Sequence, residues 1–191
     1  MTSFGKVVLV GAGNMGGAML TGWLKHGVAG RDLTVIDPSP STAMMALMAD
    51  AGVIHCTAAP ENLIADVLFL AVKPQVMQAV LPPLKRLIGS QTVVVTVAAG
   101  KTLDFLETHL GQAAMVRAMP NTPAMVGRGI TGAFANGRVN QKQLQTVTDL
   151  LKVSGPVEWV SAESDIDAVT AVSGSGPAYV FYLVECMAEA G

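Results

Sequence analysis

The glycine-rich segment at residues 11–16 carries the clearest chemical signal in the sequence. Its Gly-x-Gly-x-x-Gly spacing follows an apolar, strand-like run at residues 6–10 and opens a segment with helical periodicity. In such a strand–loop–helix unit, Gly11 permits the tight turn, Gly13 lets backbone N–H groups approach a pyrophosphate, and Gly16 allows close packing of helix on strand. The helix N-terminus adds unpaired N–H donors and a positive dipole end. The pattern therefore predicts a dinucleotide-binding loop rather than a plain turn.

An acidic residue, Asp37, stands about 20 residues after this loop, at the end of the next predicted strand. A carboxylate at this place binds a ribose 2′-hydroxyl, and residues 33–72 contain no Lys or Arg that could pair with a 2′-phosphate. These residues favour NAD over NADP. Asp37 also suits a turn, however, and Ser39, Ser41 and Thr42 could donate to a phosphate instead. The predicted cofactor is therefore NADP or NAD, in its reduced form.

A second phosphate motif, Gly100-Lys101-Thr102, fails on its spacing. It follows a strand-like run and opens a helix, as the end of a P-loop does. A P-loop needs another glycine five positions before Gly100, and Val95 stands there, inside the predicted strand. The two cysteines and three histidines show no metal-ligand spacing, so we expect no metal site.

The composition excludes several classes of protein. Charged residues make up 14% of the 191 residues and hydrophobic residues 51%, the opposite of a disordered chain. A net charge of -2 argues against a nucleic-acid partner or a polybasic membrane surface. The apolar runs at residues 67–72 and 92–99 are far shorter than a membrane span, and the N-terminus leads into a strand rather than a signal peptide. With only Cys56 and Cys186, a disulfide framework is excluded, and we expect a cytoplasmic protein without a membrane partner.

Short apolar runs rich in Val, Ile and Leu alternate with helix-period segments along most of the chain. The strand-like runs are Val7–Val10, Leu33–Ile36, Val67–Val72, Thr92–Val97, Ala114–Ala118, Ile130–Ala135 and Val157–Val160. Helical stripes are clearest at residues 43–51 and 144–151, and Thr102 and Asn140 stand where N-caps belong. Pro82-Pro83 is expected to end or kink another helix. The alternation predicts an α/β fold built on a Rossmann-type doubly wound sheet.

The organisation changes near residue 161. From there to residue 191 the strand signal stops, and two helical segments flank Ser173-Gly174-Ser175-Gly176-Pro177. The last segment is apolar on more than one face, which is typical of a helix buried in a bundle or in a dimer interface. We therefore expect a dinucleotide-binding domain over residues 1–160. Residues 161–191 should begin an α-helical dimerisation and substrate domain, which is incomplete here, in a homodimer or a higher homo-oligomer.

Five segments, taken in order, resemble the pyrroline-5-carboxylate reductase family. They are Gly11–Gly16, Ala71–Gln75, Val97–Gly100, Arg117–Pro123 and Ser173–Phe181, and together they span nearly the whole chain. The resemblance implies an NAD(P)-binding Rossmann domain followed by a helical domain that forms the dimer. It also implies reduction of the cyclic imine 1-pyrroline-5-carboxylate to L-proline with NADH or NADPH, the last step of proline biosynthesis.

Val72-Lys73 and Ala98–Gly100 stand just past the carboxyl ends of predicted strands, the edge where doubly wound sheets bind ligands. The predicted cofactor-binding residues are Gly11, Ala12, Gly13, Asn14, Met15, Gly16, Asp37, Ala71, Val72, Lys73, Pro74, Ala98, Ala99 and Gly100. The predicted substrate-binding residues are Asn121, Ser173 and Gly174. The family's Ser-Pro-Gly-Gly-Thr-Thr type loop, with a threonine near the imine nitrogen, has no counterpart before residue 191. The resemblance therefore leaves the catalytic residues unknown and expects them beyond this chain.

Two other functions stay open from the residues alone. Hydride reduction of a ketone needs a proton donor near the developing alkoxide, and residues 161–191 contain no Lys, Arg or His. A β-hydroxyacid dehydrogenase would be expected to carry a Lys in this helical region, whereas a protonated imine mainly has to be oriented. The sequence therefore favours an imine over a ketone as the substrate. The alternatives are a β-hydroxyacid-type dehydrogenase and a catalytically silent dinucleotide-binding module.

Overall fold

The apolar runs of the sequence become the strands of one eight-stranded sheet. The computed structural model describes residues 4–191, apart from the side chains at positions 125 and 126. The strands are β1 (Val7–Val10), β2 (Leu33–Ile36), β3 (Ile54–Cys56), β4 (Ala65–Leu70), β5 (Ile88–Thr96), β6 (Ala114–Pro120), β7 (Thr131–Ala135) and β8 (Val157–Trp159). The helices are α1 (Asn14–Lys25), α2 (Thr42–Ala51), α3 (Met77–Leu84), α4 (Leu103–Leu110), α5 (Gln141–Leu151), α6 (Asp165–Val169) and α7 (Gly176–Ala190).

The strand order is β3-β2-β1-β4-β5-β6-β7-β8, which places β1 and β4 side by side. Neighbouring strands are parallel except β6 and β7, which run antiparallel. The chain moves outward from β1 to β3 and then returns to begin β4 on the other side of β1, so the strand order reverses between β1 and β4. Ligands of doubly wound sheets bind in the crevice at such a reversal. The predicted fold class is confirmed.

Alternate strand residues face two separate apolar layers, because successive side chains of a strand point to opposite faces. On one face Phe69 of β4 meets the edge of the fully buried Trp23 of α1, with ring centroids 5.2 Å apart. The Trp23 indole N–H donates to the backbone oxygen of Leu150 in α5, at 2.8 Å, and so ties α1 to α5. On the other face Leu68 of β4 belongs to the cluster formed with α3 and α4. Both layers hold the strand ends in place.

Side-chain caps fix where three of the helices begin. The Thr102 hydroxyl accepts a hydrogen bond from the backbone N–H of Phe105 at the start of α4, and Ser41 caps α2 in the same way. Asn140 and Gln143 form a capping box at the start of α5, each side chain accepting from the backbone N–H of the other. Both predicted N-caps, Thr102 and Asn140, are confirmed. Pro82-Pro83 lies in the last turn of α3, as a helix-ending pair should.

Two features differ from the sequence-based expectation. The short edge strand β3 was not predicted, because its three residues are exposed or half-buried and form no apolar run. Ser173 and Gly174, which the sequence places between two helical segments, lie in a π-helical turn over residues 170–174 that joins α6 to α7 almost without a break. Such turns occur often at functional sites.

The two last helices differ in burial. Ile166 of α6 is fully buried, whereas α7 has no buried residue. On α7 the exposed fractions are 63% for Phe181, 69% for Tyr182 and 59% for Val184. Apolar side chains therefore cover several faces of α7, as its sequence predicts. Within residues 4–191, no helix combines the length and the hydropathy needed to cross a membrane.

Candidate functional site

The loop after β1 lies at the reversal point, against the segment that follows β4. Gly11 has φ +89°, and a Cβ atom there would lie 2.9 Å from both the backbone oxygen of Ala71 and Cγ1 of Val72. A Cβ on Gly16 would collide with the backbone oxygen of Gly11. These two glycines therefore allow the tight turn and the close approach of α1 to the sheet that the spacing predicts.

Gly13 is glycine for a different reason. It is the N-cap of α1 at φ -71° and ψ -157°, a conformation open to any residue, and a Cβ there would meet nothing within 4 Å. The fold itself thus tolerates a side chain at this position. Without one, no side chain caps the first N–H groups of α1, in contrast to α2, α4 and α5. The space in front of these backbone N–H groups is open, so the oxygens of a pyrophosphate could accept hydrogen bonds from them.

An open cleft of about 840 Å³ extends from this loop along α1. The residues that line it include Ala12, Gly13 and Asn14 of the loop, Asp37, and residues 39–41 beyond β2. The cleft therefore joins the loop to the acidic residue that the sequence singled out. The predicted cofactor residues outside its lining are Gly11, Met15, Gly16, Ala71, Val72, Lys73, Pro74, Ala98, Ala99 and Gly100.

Asp37 is held by four hydrogen bonds. Its carboxylate accepts from the backbone N–H of Ala12 through Oδ2, at 2.7 Å, and from that of Ser39 through Oδ1, at 2.9 Å. Its backbone N–H donates to the backbone oxygen of Cys56, and its own backbone oxygen bonds to Nε2 of His55, at 2.9 Å. The carboxylate is thus fixed beside the glycine loop, and the unpredicted strand β3 supplies two of the four bonds.

The segments after β4 and β5 continue the site along the same edge of the sheet. The backbone N–H of Val97 donates to the oxygen of Leu70, which places residues 97–100 next to residues 71–74. Ala98 is buried, while Lys73 and residues 99–100 are exposed. Small residues at this edge leave room for a flat ring to lie against the backbone. The Lys73 side chain is exposed to solvent beside these residues and does not line the cleft.

The three predicted substrate residues meet at the end of β6. The Asn121 amide nitrogen donates to the hydroxyl of Ser173, at 3.1 Å, and the amide oxygen accepts from the backbone N–H of Ile130. A Cβ on Gly174 would lie 3.5 Å from the sulfur of Met119. The π-helical turn therefore brings Ser173 and Gly174 to the sheet, 52 residues along the chain from Asn121.

An ion-pair network around the buried Arg117, beside this point, was missed by the sequence reasoning. Arg117 of β6 is 2% exposed, and its guanidinium contacts Asp167 of α6 at 2.6 Å and Glu163 at 3.4 Å. The same Glu163 oxygen accepts from the backbone N–H of Leu103, at the start of α4. The network joins β6 and α4 to the helical segment that carries Ser173. A charged residue inside the apolar run Val116-Arg117-Ala118 was the available signal.

The histidines have local roles. His26 and His109 bond through Nδ1 to backbone oxygens one helical turn earlier, and His55 bonds to Asp37. Within residues 4–191, no three His, Cys, Asp or Glu side chains come together where a metal ion could bind. The groups that the described residues bring to the sheet edge are backbone donors, small residues, the Asn121 amide, the Ser173 hydroxyl, the Asp37 carboxylate and the Lys73 ammonium.

Family comparisons match two separate segments of the chain. Residues 6–100 match the family described as NADP oxidoreductase coenzyme F420-dependent, and residues 163–191 match the family described as pyrroline-5-carboxylate reductase dimerisation. The pyrroline-5-carboxylate reductase of Pseudomonas aeruginosa is 38% identical over 189 residues, an alignment that covers 97% of this chain and 68% of that protein.

Solved structures of the same kind of protein superpose on this fold. A pyrroline-5-carboxylate reductase from Coxiella burnetii has a TM-score of 0.86 and 34% identity, covering 98% of this chain and 70% of that one. The pyrroline carboxylate reductase of Plasmodium falciparum, solved with NADP bound, has a TM-score of 0.82 and 28% identity, covering 97% and 68%.

Proposed function

The chain belongs to the pyrroline-5-carboxylate reductase family, and from this premise we propose that it reduces 1-pyrroline-5-carboxylate to L-proline with NADH or NADPH. This is the last step of proline biosynthesis. The observation that carries the proposal is Gly13. The space that a side chain could fill lies at the N-terminus of α1, which has no side-chain cap, and this leaves room for the pyrophosphate of a dinucleotide.

The glycine loop would hold the pyrophosphate of the cofactor. Ala12, Gly13 and Asn14 line the cleft, and the first N–H groups of α1 have no side-chain cap. Asp37, held beside this loop, would receive the adenosine ribose. Gly11 and Gly16 act indirectly, because they let the loop turn and let α1 approach the strand.

The segments after β4 and β5 would hold the nicotinamide half. When bound, the dihydronicotinamide supplies a hydride to the imine carbon. Residues 71–74 and 98–100 would orient the ring through their backbone, with Lys73 at the exposed rim. Asn121, Ser173 and Gly174 would position the imine and its carboxylate from the β6 side, since the hydrogen bond from Asn121 to Ser173 holds both side chains in one place.

An imine suits these residues better than a ketone. A protonated imine already carries its proton on nitrogen, so hydride addition to carbon completes the amine without a further proton donor. Residues 161–191 contain no Lys, Arg or His, and the Asn121–Ser173 pair is neutral. The site can therefore orient an imine, whereas a developing alkoxide would need an acid that these residues do not offer.

The division of labour between the two parts of the chain is part of the proposal. Residues 1–160 would form the dinucleotide-binding domain, and residues 161–191 would belong to the helical dimerisation and substrate domain. The match of residues 163–191 to a dimerisation family and the exposed apolar faces of α7 support a homodimer or a higher homo-oligomer formed through α7.

Turnover by the purified protein tests this function. NADH or NADPH oxidation is followed by absorbance with 1-pyrroline-5-carboxylate as substrate, and proline is identified by chromatography. Parallel reactions use keto acids of the 3-hydroxyisobutyrate and ketopantoate type. We expect cofactor oxidation and proline only with the imine. Turnover with a keto acid alone would favour a β-hydroxyacid-type dehydrogenase, and cofactor binding without any turnover would favour a silent binding module.

A further inference from the structure

Arg117 lies in β6 and Asn121 follows the last residue of that strand, and each holds the helical segment that comes after β8. The Arg117 guanidinium contacts Asp167 of α6 at 2.6 Å, and the Asn121 amide donates to the Ser173 hydroxyl at 3.1 Å. The two contacts are separated by roughly 13 Å along an extended strand and by roughly 9 Å along the helix. Two attachments at separate points fix the direction of the helical segment as well as its distance from β6.

The Arg117 guanidinium also reaches the residues that precede α6. Its Nη1 lies 3.4 Å from Oε1 of Glu163, while Nη2 carries the contact with α6. The same Glu163 oxygen accepts from the backbone N–H of Leu103, at 2.8 Å, where α4 begins. Leu103 comes shortly after Gly100, in the segment after β5 that is proposed to hold the nicotinamide. One guanidinium therefore connects the nicotinamide side of the site to the substrate side.

Stability alone does not explain a charged residue at this place. The Arg117 side chain is 2% exposed, and its Nε has no hydrogen-bond partner among the described residues. An unpaired buried N–H costs free energy, and apolar residues often replace a buried ion pair without loss of stability. The carboxylate of Asp167 is 71% exposed, so solvent screens its attraction. An apolar side chain could not supply the planar fork, whose two terminal nitrogens point in fixed directions.

Resting on the proposed function, we propose that Arg117 is a positioning residue for hydride transfer. Its fork holds α6 and the start of α4 in one arrangement. This arrangement sets the distance between the nicotinamide, held by residues 98–100, and the imine, held by Asn121 and Ser173. The guanidinium is buried against two carboxylates, so it acts through these segments and not on the substrate. Reacting atoms must come within about 3–3.5 Å, and a displacement of about 1 Å costs roughly a hundredfold in rate.

The substitution Arg117→Met tests the proposal, with Arg138→Met as its matched control. Arg138 makes an equally short ion pair with Glu107, at 2.6 Å, but its side chain is 43% exposed. Both variants lose one positive charge and keep a long side chain. Calorimetry with the reduced cofactor gives its dissociation constant and the concentration of binding sites. Dividing the turnover rate by that concentration gives kcat per binding site, a value to which unfolded protein does not contribute.

We expect kcat per binding site to fall roughly a hundredfold in Arg117→Met. The cofactor dissociation constant should stay nearly constant, because the network includes neither the glycine loop nor Asp37. Arg138→Met should keep both values. With deuterium at the transferred position of the cofactor, the isotope effect on kcat in Arg117→Met should equal or exceed that of the wild-type protein, because hydride transfer is the step that slows. An unchanged kcat per binding site, or a smaller isotope effect, would overturn the inference while the proposed function stands.

A second pair of variants, Asp167→Ala and Asp50→Ala, leaves the buried arginine in place. Asp167→Ala detaches α6 from Nη2 at an exposed side chain, and Asp50→Ala removes an exposed carboxylate of α2. We expect kcat per binding site to fall roughly tenfold in the first variant and to stay constant in the second. If Arg117→Met does not fold, this pair decides, and equal values in the two variants would overturn the inference. If the wild-type protein does not reduce the imine, the proposed function fails and the inference fails with it.

Discussion

The sheet region, residues 4–160, and the helical region, residues 161–191, both contain many apolar side chains but differ in what covers them. In the sheet region, Phe69 and Trp23 are fully buried between strands and helices of the same chain. In the helical region, Phe181 of α7 is 63% exposed although it is the same residue type as Phe69. The first region has a core of its own. The second has apolar surface that only another chain, or further residues, can cover.

The comparison shows that a folded chain can bury the apolar side chains of one region and leave those of another region exposed to solvent. Monomers rarely expose contiguous apolar patches above a few hundred Å². The match of residues 163–191 to a dimerisation family agrees with the exposure of α7. The proposed substrate residue Ser173 lies only three residues before α7 begins at Gly176, so the proposed site and the proposed interface are neighbours in the chain.

The largest expected effect comes from placing a charge on α7. Phe181→Asp should convert the proposed homo-oligomer to monomers, since burying a Phe side chain contributes about 1.5–3 kcal/mol and a two-fold interface through α7 would contain it twice. A loss of about 3–6 kcal/mol weakens association roughly a hundredfold or more. Size-exclusion chromatography with light scattering measures the change.

Met45→Asp is the matched control, because Met45 is an exposed apolar residue of the sheet region, on α2. It should leave the mass in solution unchanged. If Phe181→Asp also leaves the mass unchanged, α7 is not an interface. The exposure of its apolar side chains would then not be explained by contact with another chain.

The next prediction separates dinucleotide binding from stability within the sheet region. Gly13→Val should weaken dinucleotide binding roughly a hundredfold or more, because a side chain there blocks about two hydrogen bonds to the charged pyrophosphate, worth about 1.5–3 kcal/mol each. The free energy of unfolding in urea should fall by only about 1 kcal/mol, the cost of an apolar residue at an N-cap, since a Cβ meets nothing within 4 Å. Gly137→Val, at another glycine with open space, should bind the dinucleotide normally. If calorimetry finds the same dinucleotide affinity in Gly13→Val as in the wild-type protein, the loop is not part of the binding site.

The ion-pair network gives a smaller effect, which tests the connection between the two regions. The double variant Glu163→Gln with Asp167→Asn leaves the buried Arg117 without a counter-charge and should lower the free energy of unfolding by about 3 kcal/mol. Arg117→Met should cost less, about 1 kcal/mol, because the carboxylates left behind are 26% and 71% exposed and can be hydrated. Urea titrations compare the two. A larger loss in Arg117→Met would mean that the network stabilises through packing rather than charge.

The smallest effect compares helix starts in the two regions. Asn140→Ala removes the capping box of α5 and should cost about 1 kcal/mol in thermal or urea unfolding. Ser164→Ala should cost almost nothing, because Ser164 makes no side-chain cap bond at the start of α6. Equal losses in the two variants would show that α6 depends on Ser164 in a way that its hydrogen bonds do not explain.

Much of the site could be predicted because it follows from local rules. The glycine spacing, the strand before it and the helix after it lie within one short stretch, so periodicity and glycine chemistry suffice to locate the loop. The caps at Thr102 and Asn140 are equally local. By contrast, β3 gave no apolar run, and its role in fixing Asp37 depends on residues 18 and 19 positions away in the chain.

The sequence by itself determined the α/β class, the position of the glycine loop, the family and the apolar character of α7, because each is written in spacing and residue type. Only the tertiary structure decided that both oxygens of Asp37 are already engaged, that Arg117 is a buried link to α6, and that Ser173 reaches Asn121 through a π-helical turn. Hydrogen bonds and ion pairs between distant residues depend on directions and distances in space. Those are fixed by the packing of the whole sheet and its helices, and no local pattern encodes them.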